Sequence, residues 1–339
     1  MNRVPQPSRA ARTATADNIV LSFGTVQSRM SGRIVRLGSS VDRVLTAHDY
    51  PAPVSEVLGE ALALTALLGQ PLNPGGRLIL QTRTDGPISF LVVHYDSPGA
   101  IRGYASFDAA AVAALASKHA TVPAGALLGI GRMAMTIDPG GEQASHQGIV
   151  ALDGGSLTDA AHAYFRQSEQ LPTLIRLAVA RQMMANPSGG GAEWKWRSGG
   201  LILQHVPRLG GDPRSDETPE DRDARLHGED DDDWLRVATL AATVEAHELI
   251  DPMLSPERLL LRLFHEEGVR VGEETPVAAV CRCSRTRIQG FLGGFGAAEL
   301  AEMREPDGAI TVTCEFCSSK YRFEAADLIR SDRDPPDPN

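Results

Sequence analysis

The C-terminal part of the chain contains Cys281-Arg282-Cys283 and, after 30 intervening residues, Cys314-Glu315-Phe316-Cys317. These are the only cysteines among the 339 residues. Zinc is commonly held by four tetrahedral ligands, and two close cysteine pairs separated by a loop are a frequent way for one chain to supply them. The pattern therefore predicts one Zn²⁺ per chain, bound by Cys281, Cys283, Cys314 and Cys317.

The same four thiols also suggest redox chemistry. About 50 residues around them can bury only a marginal core, so loss of the metal should unfold this part of the chain. Oxidation would remove the ligands, and the disulfides Cys281–Cys283 and Cys314–Cys317 are sterically conceivable because each pair is close in sequence. Two simpler interpretations stay open, namely a purely structural zinc site and four unrelated buried thiols.

Residues 18–206 carry the signals of an antiparallel sheet combined with helices. Apolar residues at helical spacing predict a buried helix over Ser55–Leu68, and Ser156 with Asp159 has the spacing of a capping box. Alternating runs separated by turn-forming residues predict strands and hairpins. The predicted strands are Asn18–Met30, Arg33–Leu37, Leu78–Arg83, Ile88–His94, Gly129–Ile137, Gly148–Leu152, Leu174–Ala180 and Leu201–Val206. This arrangement predicts an α+β fold.

The rest of the chain divides by composition. Between Asp212 and Asp233 there are 11 acidic residues and 3 arginines, so residues 207–233 are predicted to be a disordered acidic insertion. A helical linker is expected over 234–275, followed by a zinc-binding redox-switch domain over 276–331. Disordered tails are expected at 1–17 and 332–339, and a flexible loop at 186–191.

The predicted linker carries an apolar stripe on each of two helices, one starting at Trp234 and the other capped by Ser255. The stripe consists of Val237, Leu240, Val244, Leu259, Leu260, Leu263 and Phe264. We expect this stripe to pack on the α+β core.

Charge and hydropathy exclude several classes of protein. The formal charge of −10 argues against nucleic acid or an anionic membrane as a partner. No run approaches the roughly 20 apolar residues of a spanning helix, and the N-terminus lacks the apolar segment of a secretory signal, so a cytoplasmic location is expected. A zinc ribbon that binds nucleic acid is the main alternative, but residues 281–330 contain 7 basic and 7 acidic side chains, which gives no excess for phosphate binding.

Signals for an enzyme are weak. His247-Glu248-Leu249-Ile250-Asp251 resembles a metalloprotease motif but has Asp251 in place of the second histidine ligand. Gly129-Ile130-Gly131 lacks the third glycine of a dinucleotide-binding loop. For Trp194-Lys195-Trp196 and His48-Asp49-Tyr50, a core or turn role is the simplest interpretation. No catalytic residue is assigned, and the protein is not expected to be an enzyme.

Several landmarks together resemble one known family. They are His48-Asp49-Tyr50-Pro51, Tyr164-Phe165, Ser168-Glu169-Gln170-Leu171-Pro172, Arg262-Leu263-Phe264-His265-Glu266-Glu267, and the cysteine cluster followed by Tyr321 and Phe323. With them the sequence resembles the redox-regulated 33 kDa chaperonins, which are cytosolic heat-shock holdases. It departs from that family at Ser318, where a glycine is common, and in the acidic insertion.

The resemblance implies a redox-regulated function. The reduced, zinc-bound form would be an inactive monomer, which oxidants and heat convert to an active form by disulfide formation and zinc release. The linker and the zinc domain would then unfold. The exposed apolar surface would bind unfolding client proteins without ATP, and the activated chain would form a homodimer.

Overall fold

The structure is a computed structural model that describes residues 17–141, 143–185, 191–205, 232–324 and 327. Its strands are β1 (Ile19–Thr25), β2 (Ser31–Leu37), β3 (Arg77–Thr84), β4 (Ile88–Asp96), β5 (Ala100–Phe107), β6 (Ile130–Asp138), β7 (His146–Asp153), β8 (Thr173–Ala185), β9 (Ala192–Gln204), β10 (Val269–Pro276), β11 (Ala278–Ala279), β12 (Ile310–Thr313) and β13 (Lys320–Phe323). Its helices are α1 (Ser39–Leu45), α2 (Ala52–Gly69), α3 (Ala109–Ala116), α4 (Ala124–Leu128), α5 (Leu157–Tyr164), α6 (Asp232–Ala242), α7 (Ala246–Ile250), α8 (Pro256–Phe264), α9 (Arg285–Leu292) and α10 (Ala297–Glu302), and the π-helical turn Phe165–Glu169 follows α5. The predicted α+β class is confirmed.

Two sheets form the framework of the first of two compact units, Met1–Ala279. One sheet has the strand order β10-β1-β2-β9-β8, and the other has the order β11-β5-β4-β3-β6-β7. All neighbouring strands in both sheets are antiparallel except β11 and β5, which are parallel. Both predicted hairpins are present, as β3–β4 and β6–β7.

Helix α2 packs against strands of both sheets, and most of its residues are buried. Small residues such as Ala61 and Gly59 allow close approach on several sides, and Leu58, Leu62 and Leu67 fill the core. The helix is long and apolar enough to cross a membrane, but 72% of it is buried inside the fold. This burial is typical of a core helix, and it explains why α2 is apolar on most of its surface, with Glu56 and Glu60 as its two charged residues.

Helices α6, α7 and α8 cover the outer face of the first sheet. Their buried residues share an apolar cluster with Leu21, Phe23 and Ile34 of β1 and β2. The predicted stripe is buried there, with Leu240 only half-buried. The expectation that the linker packs on the α+β core is therefore confirmed.

The segment after α8 differs from the sequence-based expectation. The sequence predicts a helical linker to residue 275 and a zinc domain from residue 276, but β10 pairs with β1 and β11 pairs with β5. Residues to Ala279 therefore belong to the first unit, and the second unit is Val280–Asn339. Strand β10 was missed because it is an exposed edge strand with few apolar residues.

Several predicted flexible segments fall mainly outside the described residues, namely the tails 1–17 and 332–339, the loop 186–191 and the acidic insertion 207–233. Where the structure does describe them, two corrections follow. Asp232 and Asp233 form the first turn of α6, where carboxylates interact favourably with the helix dipole. Asp17 makes a bidentate ion pair with Arg197 at 2.5 and 2.7 Å and so is not part of a tail.

Candidate metal centre

The four cysteines lie on two short backbone segments of the second unit. Cys281 and Cys283 lie shortly after β11 on a segment without regular secondary structure, and Cys314 and Cys317 lie on the turn between β12 and β13. The hairpin formed by β12 and β13 holds the turn in place through antiparallel pairing.

The four sulfur atoms all lie within 4.8 Å of one another. The Sγ atoms of Cys281 and Cys314 are 3.6 Å apart, and those of Cys283 and Cys317 are 3.3 Å apart. Four sulfurs at about 2.3 Å from a tetrahedral zinc ion would be separated by about 3.8 Å. Both the spacing and the all-thiol donor set therefore fit Zn²⁺, and the four residues would hold it as a closed site.

The turn that carries Cys314 and Cys317 is fixed by main-chain hydrogen bonds. The N–H of Ser318 donates to the carbonyl of Cys314 at 2.8 Å, and the N–H of Cys314 donates to the carbonyl of Ser319 at 2.9 Å. Ser318 has a φ of 55°, in the left-handed region that favours glycine. The departure noted at Ser318 thus retains the turn at a modest conformational cost.

Two hydroxyl groups contact the sulfurs. Tyr321 on β13 donates to the Sγ of Cys283 at 3.2 Å, and the Oγ of Ser319 lies 3.3 Å from the Sγ of Cys317. Such outer contacts orient metal ligands and tune their basicity. Sequence reasoning did not assign these roles, although the position of Tyr321 on a strand next to the cysteine turn was a usable signal.

The thiols differ in acidity when no cation is bound. Burial raises the pKa of Cys283 to about 12 and also raises the pKa of Cys314. For Cys317, burial also raises the pKa, but hydrogen bonds from Ser319 and contacts with the other thiols outweigh it and bring the pKa to about 7. Binding four thiolates to one cation therefore requires release of protons, and metal affinity should fall as the pH falls.

The second unit has a small apolar core. Among its described residues, Leu292, Ile310 and Phe323 form the buried cluster, with a few half-buried neighbours. The guanidinium of Arg285 lies 4.6 Å from the centre of the Phe323 ring and also pairs with Asp327 at 2.8 Å. A cluster of this size contributes little to the stability of an independent domain, and a metal ion held by the four cysteines would add to it.

The residues of the weaker motifs do not join this centre. His247 is exposed beside Glu245, and Glu248 pairs with Arg262 at 2.6 Å. Gly129 ends α4 and Gly131 lies on β6.

The aromatic motifs have structural contacts in the first unit. Tyr50 accepts a hydrogen bond from the N–H of Ala105, at 3.1 Å, and so covers part of the edge of β5. Trp196 is buried in the core, whereas Trp194 is 54% exposed.

The fold and the site together define an α+β protein whose small C-terminal unit contains a cluster of four cysteines that could hold a metal ion. A family model described as Hsp33 protein matches residues 18–324. The chain therefore belongs to the Hsp33 family.

Named relatives agree with this assignment. A 33 kDa chaperonin of Caulobacter vibrioides is 44% identical over 315 residues, which cover 93% of this chain and 97% of that protein. A 33 kDa chaperonin of Ectopseudomonas mendocina is 38% identical over 301 residues, which cover 88% of this chain and 90% of that protein. The fold is similar to the crystal structure of a 33 kDa chaperonin from Thermotoga maritima, with a TM-score of 0.67 and 21% sequence identity. The match covers 92% of this chain and 96% of that chain. The family is thus one of chaperones.

Proposed function

We propose that this protein is a redox-regulated, ATP-independent holdase that binds unfolding proteins in the bacterial cytoplasm under oxidative stress. The reduced form holds one Zn²⁺ through Cys281, Cys283, Cys314 and Cys317 and is inactive. Oxidation forms disulfides, releases the metal and activates the chain, which then forms a homodimer. The observation that carries this proposal is the placement of all four thiols in one small unit with few buried residues.

The oxidation step removes the ligands directly. Two thiols and one hydrogen peroxide give one disulfide and two water molecules, so two equivalents of peroxide consume all four cysteines. A disulfide sulfur no longer carries the charge that binds zinc. Because the apolar cluster of Leu292, Ile310 and Phe323 is small, the second unit then unfolds.

We assign the disulfides to Cys281–Cys283 and Cys314–Cys317. In the folded centre, close sulfur contacts cross between the pairs, Cys281 with Cys314 and Cys283 with Cys317. Neighbours in sequence stay close after the unit unfolds, whereas partners more than 30 residues apart separate. Peptide mapping of the oxidised protein should therefore recover neighbour pairs. Mainly cross-pairs would contradict unfolding and indicate a folded, disulfide-locked unit.

Metal content tests the ligand assignment. Elemental analysis should give one zinc per reduced chain, and replacement of both Cys314 and Cys317 by Ser should reduce it to near zero. Replacement of the exposed residues Ala301 and Glu302 on α10 by Ser also introduces two serines into the second unit but retains the four thiols, and it serves as the matched control. Unchanged zinc in the cysteine variant would show that the metal lies elsewhere.

The linker formed by α6, α7 and α8 serves as the mask over the client-binding surface. Val237 and Leu263 are buried against the first sheet, so a carboxylate at either position is strongly unfavourable in the docked state. The double variant Val237→Glu and Leu263→Glu should suppress client aggregation under reducing conditions with zinc still bound. The control Leu235→Glu with Leu261→Glu changes exposed positions on the same helices and should remain inactive.

The central assay compares reduced and peroxide-treated protein side by side for suppression of client aggregation. We expect suppression only after oxidation in the parent. Equal activity of the two forms would contradict redox regulation. A Val237→Glu, Leu263→Glu variant that is folded, retains zinc and stays inactive would show that the linker is not the mask.

A further inference from the structure

Three arginines on the covered face of the first sheet all bind the linker through its main chain. Arg36 donates to the carbonyls of Glu248, at 2.8 Å, and of Asp251, at 2.5 Å, and it also donates to the carbonyl of Leu254. Arg197 donates to the carbonyl of Ile250 at 2.7 Å. Arg176 donates to the carbonyl of Ala242 at 2.9 Å.

The side-chain carboxylates of this segment are engaged elsewhere. Glu248 pairs with Arg262 and accepts from the N–H of Glu245, and Asp251 accepts from the N–H of Met253. Within the linker, the arginines of the sheet therefore bind main-chain carbonyls, which every residue possesses, although carboxylates are present in the same segment. Arg197 does so through Nε alone, because its two terminal nitrogens pair with the carboxylate of Asp17.

Arg36 and Arg197 are also built into the sheet. They are 1% and 3% exposed. Burial and the charge of Arg197 together lower the pKa of Arg36 to about 10, against the opposing effect of Asp17 and other nearby carboxylates. Buried guanidinium groups need acceptors for their donors, and the ends of a helix or irregular backbone supply carbonyls without intrahelical partners.

The linker backbone approaches this face closely. A Cβ atom on Gly199 would lie 2.2 Å from the carbonyl oxygen of Leu249, so the absence of a side chain there allows α7 to lie directly on β9. Around this contact the sheet offers an apolar floor that includes Leu21, Ile34 and Leu201. The linker is thus a peptide segment seated on a surface that has an apolar floor and carbonyl-binding arginines.

We propose that this face, once the linker leaves it, binds aliphatic segments of unfolding proteins, with Arg36, Arg197 and Arg176 donating hydrogen bonds to their main-chain carbonyls. This inference rests on the proposed function, because it requires the linker to be released. The linker is then an internal substitute for the client. Folded proteins satisfy their carbonyls within helices and sheets, whereas unfolding chains present them together with aliphatic side chains. The arginines therefore give selectivity for unfolded chains without selectivity for sequence.

The test measures binding to the peroxide-treated full-length protein, in which the linker no longer competes. The probes are fluorescently labelled, reduced and carbamidomethylated α-lactalbumin, which is acidic, and lysozyme treated in the same way, which is basic. Arg36→Met and Arg197→Met retain side-chain bulk but remove the donors. Arg43→Met, on the exposed surface of α1, is the control for loss of one positive charge.

We expect Arg36→Met and Arg197→Met each to bind both probes about tenfold more weakly than the parent. Loss of one hydrogen bond from a charged group typically lowers affinity by about tenfold or more. Arg43→Met should bind as the parent does. Arg36→Lys should bind as weakly as Arg36→Met, because an ammonium group lacks the fork of donors that reaches several carbonyls.

Three results would overturn the inference. Unchanged binding by Arg36→Met and Arg197→Met would mean that the arginines serve only to hold the linker. Weaker binding of the acidic probe alone would mean that the arginines bind client carboxylates. Parent-like binding by Arg36→Lys would mean that positive charge alone is sufficient for client binding. If the variants of the two buried arginines do not fold, Arg176→Met provides the test, because Arg176 is exposed. We expect this variant to bind both probes about threefold more weakly than the parent. Unchanged binding by Arg176→Met would contradict the inference.

The two proposals fail in different ways. If the parent binds the probes equally well before and after oxidation, or in neither state, the redox-regulated function fails. If the parent binds only after oxidation and the arginine variants bind as it does, only the role of the arginines fails.

Discussion

In the first unit, helix α2 lies against both sheets, and Leu58, Leu62 and Leu67 are fully buried. In the second unit, the buried cluster of the described residues consists of Leu292, Ile310 and Phe323, beside four cysteines within 4.8 Å of one another. Apolar burial stabilises the first unit, whereas in the proposed function the second unit depends on a metal ion that oxidation of the thiols would release. On this proposal, one chain combines a permanent scaffold with a part that unfolds on a chemical signal.

The largest expected effect is that of metal removal. Chelation of the reduced protein should unfold residues 280–324, because structural zinc contributes roughly 10–16 kcal/mol to the folding of such units. Helix α2 should keep its structure, since its stability comes from burial. Limited proteolysis with mass spectrometry checks both outcomes, and a second unit that stays resistant after complete loss of zinc would contradict the comparison.

A substitution in the core of the first unit should destabilise that unit and leave the metal content of the second unit unchanged. Leu62→Ala should lower the unfolding free energy of the first unit by about 2–5 kcal/mol through the cavity it leaves. Zinc content should remain at that of the parent. Urea unfolding followed by the fluorescence of buried Trp196 measures the loss, with exposed Leu261→Ala as the control. A parallel loss of zinc would show that the two units are not independent in stability.

The cysteine pattern illustrates what sequence alone can determine. Two close pairs in a chain with no other cysteine predict one centre, because the ligand chemistry of zinc restricts the possible arrangements. Hairpins and the capping box at Ser156 follow equally from local signals, and the structure confirms them.

Other features depend on contacts between segments distant in sequence. Strand β10 exists because β1 offers it a partner, and its own sequence has little strand character. The roles of Arg36 and Arg197 depend on carbonyls more than 50 residues away. Tyr321 reaches Cys283 only through the pairing of β13 with β12. Local periodicity carries no information about such contacts.

The first unit also contains a carboxyl group that its core disfavours as an anion. Burial, together with the nearby charge of Glu56, raises the pKa of Glu60 on α2 to about 7. A folded-state pKa above the unfolded value means that stability is lost as the pH rises from about 4.5 to about 7.

Glu60→Gln should therefore be more stable than the parent by about 1–3 kcal/mol at pH 8 and similar to it at pH 4. Urea unfolding at the two pH values tests this, with Glu266→Gln on the exposed surface as the control. A gain of equal size at both pH values would contradict titration of Glu60.

The smallest effect should come from the contact between Tyr321 and Cys283. Tyr321→Phe removes one hydrogen bond to a ligand and should weaken zinc affinity by about tenfold, because outer contacts of this kind typically contribute 10–100-fold. Competition with a chromogenic chelator measures the affinity, and Tyr104→Phe, in the first unit, is the control. Unchanged zinc affinity of Tyr321→Phe would show that this hydroxyl does not contribute to metal binding.

Hydrogen exchange of the full chain tests the central claim most directly, with reduced zinc-bound and peroxide-treated protein compared segment by segment. We predict that oxidation abolishes protection across 280–324 and across the linker helices α6–α8, while α2 keeps its protection. Protection of α6–α8 that persists after oxidation, in protein that has lost its zinc and binds clients, would contradict the account.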